Sequence, residues 1–221
     1  MKPSFWLLAF AACVALAPES RAAVLRGTLA VPAAPPAAQH LNAYPGQASS
    51  MAKHRMQPRG AVNDAVIWID RVPAPADSLI AESPRPRPKL AQLDQCFMPR
   101  VVSVAVGGTV DFPNQDPIYH NVFSVSTTRR FDLGKYPKGQ SRSVTFPRAG
   151  VVNVYCDIHS DMAAFVLVAP NHAYTQPAAD GAWTLPDLPE GKYVIHVWHP
   201  DFGTFEREVE LSADRTLALS Y

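Results

Sequence analysis

The run Cys156-Asp157-Ile158-His159-Ser160-Asp161-Met162 spaces a thiol, an imidazole and a thioether as C-x2-H-x2-M. It falls between two apolar, Val-rich stretches, where a short loop can bring three donors to a point without distorting either strand. Soft sulfur ligands combined with imidazole select copper over magnesium, calcium or manganese, and a weak thioether is typical of electron-transfer copper. Zinc would take four Cys, His or carboxylate donors and has little use for Met162. A fourth donor is available in Pro117-Ile118-Tyr119-His120-Asn121-Val122-Phe123. His120 would complete a plane of two imidazole nitrogens and one sulfur with Cys156 and His159. Asn121 follows directly and is placed to hydrogen-bond into the Cys156 loop, a restraint of the kind that tunes a metal site. Phe112, Tyr119, Phe123 and Tyr155 flank these ligands and are expected to keep water out.

The segments that must position these donors read as short strands. Residues 100–110, 121–125, 140–146, 151–156 and 163–168 are rich in Val and Phe, and Pro113-Asn114, Lys138-Gly139 and Ala149-Gly150 punctuate them. Strands of this length and spacing predict a β-sandwich. Upstream, residues 24–31 and 63–72 have strand composition, with Val66, Trp68 and Asp70 on one face of the second and Ile67 and Ile69 on the other. Between them, residues 32–60 are Ala/Pro/Gln/Ser-rich without hydrophobic period and read as a disordered insert. Residues 73–89 are proline-punctuated and read as an extended linker. Downstream, residues 171–221 again alternate as strands, with turns at Asp180-Gly181 and Pro189-Glu190-Gly191. No segment sustains a 3.6-residue period, so the expected class is all-β with little helix.

Composition narrows the setting. Hydrophobic residues make up 48% and charged residues 18%, which fits a folded chain, and a net charge of +1 argues against nucleic-acid binding. Lys2 followed by the apolar run Phe5–Ala17 reads as a secretion signal spanning residues 1–22, cleaved near Ala17 or Ala22. No other run is long enough to span a bilayer, so an exported protein without a stable membrane span is expected. Export leaves Cys96 and Cys156, which in an oxidising compartment would by default pair. The loop geometry instead points Cys156 toward His120, and Cys96 is expected to be a buried free thiol. The remaining histidines carry less: His40 and His54 lie in the insert, His172 opens the third block, and His196 and His199 are expected at solvent or a domain interface. Trp68, Trp183 and Trp198 read as core.

In the strand–FPN–HNVFS run, the Phe131–Tyr136 segment and the YCDIHSDM loop, residues 90–170 resemble the cupredoxins, with ligand-loop spacing of the amicyanin type. The same motifs are similar to bacterial proteins labelled methylamine utilization or plastocyanin-like. The resemblance implies a Greek-key sandwich, one mononuclear type 1 copper on His120, Cys156, His159 and Met162, and one-electron transfer to a periplasmic redox protein such as a cytochrome c or a quinoprotein-type dehydrogenase. Cys96 matches no copper motif. The pair DGAWTL and LPEGKY, with Arg26-Gly27-Thr28 and Asp64-Ala65-Val66, resembles a carboxypeptidase-regulatory-like (transthyretin-like) sandwich. Residues 23–80 and 171–221 are therefore expected to form one discontinuous domain that flanks the copper domain or holds it as an insert. No nucleophile–base pair stands out, so no catalysis is expected. A copper carrier or storage protein and a metal-free binding module are the alternatives.

Overall fold

Alternating burial along the strands resolves the chain into paired sheets. The computed structural model describes residues 22–33, 59–159 and 161–221. Residues 1–21 of the expected signal and most of the 32–60 insert, His40 and His54 included, lie outside the described residues, while Ala22 is in the first strand. The first elements are β1 (Ala22–Ala23), β2 (Leu25–Ala30), a 3-10 turn (Val62–Asp64), β3 (Val66–Ile69) and helix α1 (Ala74–Glu82). Next come β4 (Ala91–Leu93), β5 (Cys96–Met98), β6 (Val101–Ala105), β7 (Thr109–Pro113), β8 (His120–Val125), β9 (Arg130–Tyr136), β10 (Ser141–Thr145), β11 (Gly150–Tyr155) and β12 (Ala163–Ala169). The chain closes with β13 (Tyr174–Thr175), β14 (Ala182–Thr184), β15 (Leu188–Pro189), β16 (Gly191–His199), β17 (Gly203–Leu211) and β18 (Arg215–Ser220). The described residues are all-β apart from α1 and the 3-10 turn. Among the described residues no helix is long and apolar enough to cross a membrane.

One sandwich is built from residues near 90–169. Its larger sheet runs β6-β12-β11-β8-β9, with β6 and β12 parallel. Facing it, β7 pairs with β10, and bridges Lys89–Asp111 and Gln92–Asn114 attach the β4–β5 hairpin to β7. Leu90, Phe97, Phe112 and Phe146 from this second sheet pack with Val122, Val152, Val154 and Val166 from the first. Each such side chain withdrawn from water contributes about 1.5–3 kcal/mol before chain entropy is counted.

The other sandwich sets β13-β3-β16-β17 against β14-β2-β18. Its core draws Leu25, Ile67 and Ile69 from one end of the chain and Trp183, Leu188 and Ile195 from the other. Gly27 lies where β2 pairs with β18, and a Cβ there would sit 1.7 Å from the Leu217 carbonyl oxygen and 2.9 Å from the Trp183 ring. Backbone cannot yield as a side chain does, so Gly27→Ala is expected to reach at least the upper end of the ~1–3 kcal/mol of an overpacked core. A urea-unfolding midpoint unchanged in that variant would contradict the β2–β18 register.

The two sandwiches meet through the outer faces of their sheets. Val66 and Trp198 pack with Val101, Leu167 and Ala169, flanked by Trp68 and Phe165. Ile67 and Ile69 point the other way, into their own core, as the alternation in this strand predicts. Residues 73–89 depart from the expected extended linker, because 74–82 is helical. Proline breaks a helix interior but suits its start; Pro73 is the N-cap, Pro75 lies in the first turn, and Ile80 is the buried residue of the helix.

Candidate metal centre

The β8 strand begins at His120, and β11 ends one residue before Cys156, so the strand ends bring both side chains to one end of the sandwich. The loop from Cys156 to Met162 is closed by two main-chain bonds, Cys156 N to Met162 O at 3.3 Å and Met162 N to His159 O at 3.1 Å. Cys156 Sγ lies 3.8 Å from His120 Nδ1 and 3.9 Å from His159 Nδ1. One donor atom from each of the three residues falls within 4.8 Å of the others, a grouping able to hold a metal ion. His120 has no exposed surface, Cys156 and Met162 are buried, and His159 is half-buried at the rim. Met162 belongs to the apolar core under the loop.

The outer nitrogen of His120 is committed elsewhere. Nε2 lies 2.7 Å from Asp116 Oδ2, and this carboxylate is itself buried. A carboxylate only accepts, so the proton of the neutral ring sits on Nε2 and Nδ1 keeps its lone pair toward the sulfur. Asp116 also accepts the main-chain N–H groups of Asp94 at 2.6 Å and Gln95 at 2.8 Å, which form the left-handed turn of the β4–β5 hairpin. Asn114 ties down the same loop, donating to the carbonyls of Ile118 and Tyr136 and accepting from Asp116 N. The sequence marks Asn114 only as half of the turn dipeptide Pro113-Asn114 and gives Asp116 no mark of its own. The visible signal was only a turn dipeptide followed by a carboxylate four residues before a histidine.

The electrostatics suit a thiolate. Burial pushes the Cys156 thiol up, but it is outweighed by the hydrogen bond with His120 and by the N–H groups of Ile158, Asn121 and His159, leaving the thiol below its ordinary value. Burial likewise pushes the His120 imidazole down, and the bonds to Cys156 and Asp116 outweigh it and leave it raised. Metal ligation requires a deprotonated sulfur, and N–H donors around it favour that form. Asn121 therefore reaches Cys156 through its main-chain N–H, while its side-chain Nδ2 donates to Asp132 Oδ1 at 3.0 Å.

The aromatic surroundings differ in part from expectation. Phe112 is fully buried, but Tyr119 is 58% exposed and shields nothing. Phe123 and Tyr155 pack on each other on the outer face of the sheet. Tyr136, opposite His120 in the β8–β9 register, is the buried ring beneath the site. Burial pushes its phenol up to about 12, so it stays a neutral donor to the Phe112 carbonyl at 2.8 Å. Cys96 forms no disulfide and is half-buried rather than buried. His199 is fully buried, its Nε2 donating to the Ala61 carbonyl, and His196 stacks on Trp68. Trp183 and Trp198 are buried, and Trp68 is half-buried at the contact between sandwiches.

No family model matches this chain, and no curated protein does. Among solved structures, it is similar to a Cu-containing nitrite reductase from Thermus scotoductus SA-01, 24% identical over 38% of this chain and 23% of the reductase, with a TM-score of 0.36. An oxidized amicyanin variant is 25% identical over 40% of this chain and 88% of its own, also at 0.36. A reduced Cu(I) amicyanin variant at pH 4 is 25% identical over 48% of this chain and 98% of its own, again at 0.36. Each likeness covers less than half of this chain.

Proposed function

We propose that His120, Cys156, His159 and Met162 hold one copper ion and that this protein is an exported one-electron carrier with a cupredoxin-like copper domain. The observation that carries the reading is the convergence of two imidazole Nδ1 atoms and one thiol sulfur, with His120 Nε2 already engaged by Asp116. The donor set fits copper: two nitrogens and a thiolate, with a thioether on the closing residue of the loop. Bound there, copper supplies a single electron by alternating between its two oxidation states. The chain's own part is to hold the donors still. Asp116 orients His120, three main-chain N–H groups support the Cys156 sulfur, and Phe112 and Tyr136 keep the inner side of the site dry. His159 stands at the rim next to the exposed Ile158, and the exposed Ile118 and Tyr119 directly precede His120, which suits electron exchange with a periplasmic redox protein at this end.

In this reading residues 23–80 and 171–221 form a transthyretin-like sandwich with the copper domain inserted, and its role is to scaffold the outer face of the copper-domain sheet. The chain has no catalytic turnover of its own. The deciding experiment is titration of the copper-free protein with Cu(II), followed in the visible. An intense thiolate-to-copper band is expected, lost in Cys156→Ser. A colourless protein that ignores Cu(II) would exclude the reading, and binding of Cu(I) alone without a reversible potential would indicate copper carriage.

A further inference from the structure

The whole-chain charge of +1 conceals a strong separation. Between residues 127 and 150 there are six basic residues and one acidic residue, whereas residues 180–214 hold eight acidic and two basic residues. The basic stretch forms β9, the loop after it, and β10 with its flank. β9 ends the five-stranded sheet, and β10 ends the facing one. The basic side chains therefore gather where the edges of the two sheets of the copper-domain sandwich come together. Arg142 closes that seam, lying over the Tyr136 ring at 5.0 Å and donating to the Leu133 carbonyl.

Arg130, Lys135, Lys138, Arg142 and Arg148 are all exposed. Among the described residues, only Lys135 of these has a carboxylate within ion-pair distance, Asp157 at 3.9 Å. Arg148 spends its hydrogen bonds on the carbonyls of Thr127 and Thr128, which leave its charge uncompensated. The one acidic residue of the stretch, Asp132, is occupied by Asn121 Nδ2 and the Gly134 N–H. The row is also anchored to the metal centre. Lys135 faces Asn121 across the β8–β9 register, and its partner Asp157 follows Cys156 in the ligand loop.

Lysine and arginine on edge strands also protect against sheet-to-sheet association, but that role does not require the charges to end at the metal loop. Like charges lined along one edge raise the local concentration of an oppositely charged partner and can raise association rates 10-fold or more at low salt. Resting on the copper reading above, we propose that the β9–β10 edge is the steering surface for an acidic redox protein. Its carboxylates would lie along Arg130, Lys138, Arg142 and Arg148 while its redox centre approaches His159.

Two readouts test this, one of them free of copper. In the first, Cu(I)-loaded protein is mixed with hexacyanoferrate(III), which takes one electron and becomes hexacyanoferrate(II). The rate is expected to fall steeply as ionic strength rises from about 10 mM toward 1 M, where charges are screened beyond ~3 Å. With the cation tris(phenanthroline)cobalt(III), which takes one electron to become cobalt(II), the rate is expected to rise instead. The triple variant Arg130→Glu/Lys138→Glu/Arg148→Glu is expected to lose roughly tenfold in the hexacyanoferrate rate at low salt. The control Arg26→Glu/Lys192→Glu/Arg207→Glu has the same net charge, with its changes on exposed residues of the other sandwich, and is expected to lose far less. In the second readout, copper-free protein is titrated with poly-L-glutamate. Wild type and the control are expected to bind, and the triple variant is not. Equal behaviour of the two triple variants in both assays would overturn the proposal. Loss of the copper signal with polyglutamate binding intact would overturn the copper reading alone.

Discussion

Arg100→Ala is expected to lower the free energy of unfolding by about 3–5 kcal/mol, the range for breaking a buried ion pair from one side. Arg100 leads into β6 of the sandwich that carries His120 and Cys156, while its partners belong to the other one. Its guanidinium donates to Asp201 Oδ2 at 2.7 Å and Oδ1 at 2.9 Å, and to Asp64 Oδ2 at 3.1 Å. The Asp201 side chain has no exposed surface and also takes Arg59 and the Gly60 N–H. Without Arg100, Asp64 loses its ion-pair partner and Asp201 keeps only the peripheral one. The effect is expected in urea unfolding of the whole chain, because this cluster and the Trp198 contact join the two sandwiches. Arg100→Lys keeps the charge but not the two-pronged geometry, and should fall between wild type and alanine.

The same cluster gives this loss a pH dependence. The hydrogen bond from Arg100, with smaller help from Gly60 and Arg59, overcomes burial and holds the Asp201 carboxyl well below the usual carboxylate range. A depressed carboxyl stabilises the fold fully above the unfolded value near 4, and that stabilisation is lost as pH falls toward the folded value. Asp64 has the opposite sign: burial outweighs Arg100 and raises it, so it offsets part of the loss on acidification. The gap between wild type and Arg100→Ala should therefore be widest near neutral pH and close below about pH 4. A gap that stayed constant across that range would assign the effect to lost packing over Phe165 instead.

What was legible in the sequence was the chemistry carried by residue type. Cys156, His159 and His120 announce themselves because thiol and imidazole are scarce and their spacing fits one loop and one strand mouth. Asp116 carries no such mark, since a carboxylate in a Pro-Asn-Gln-Asp-Pro turn ordinarily caps the turn itself. Its partners in the 94–95 turn come from a hairpin of three-residue strands. That turn places Asp94 and Gln95 at positive φ without a glycine to signal it. Helix α1 was hidden by two prolines that act as starters, and by a length of nine residues, too short to show a helical period. Alternation assigned Val66 and Trp68 to one face of β3, but no local pattern could reveal that the covering surface is the outer side of another sheet.

The carboxylate that sequence reading missed is where a single atom should matter most for metal. Asp116→Asn preserves volume but turns one acceptor oxygen into a donor NH2. In wild type Oδ2 faces His120 Nε2 and Gln95 N–H, and Oδ1 faces Asp94 N–H, so every orientation of the amide sets donor against donor. The ring can relieve the clash by moving its proton to Nδ1, the nitrogen needed for the metal. Loss of a buried histidine's orienting partner typically costs 10–100-fold in metal affinity. That loss is expected here in Cu(II) competition against a chelator. A further loss of about 1–3 kcal/mol in unfolding of the copper-free chain is expected from the unpaired buried donors. The carboxylate also raises the basicity of the imidazole it holds and thereby favours Cu(II), so the variant's reduction potential should rise. A variant that unfolds earlier but binds Cu(II) with wild-type affinity and potential would make Asp116 a turn anchor only, and would detach the β4–β5 hairpin from the function of the site.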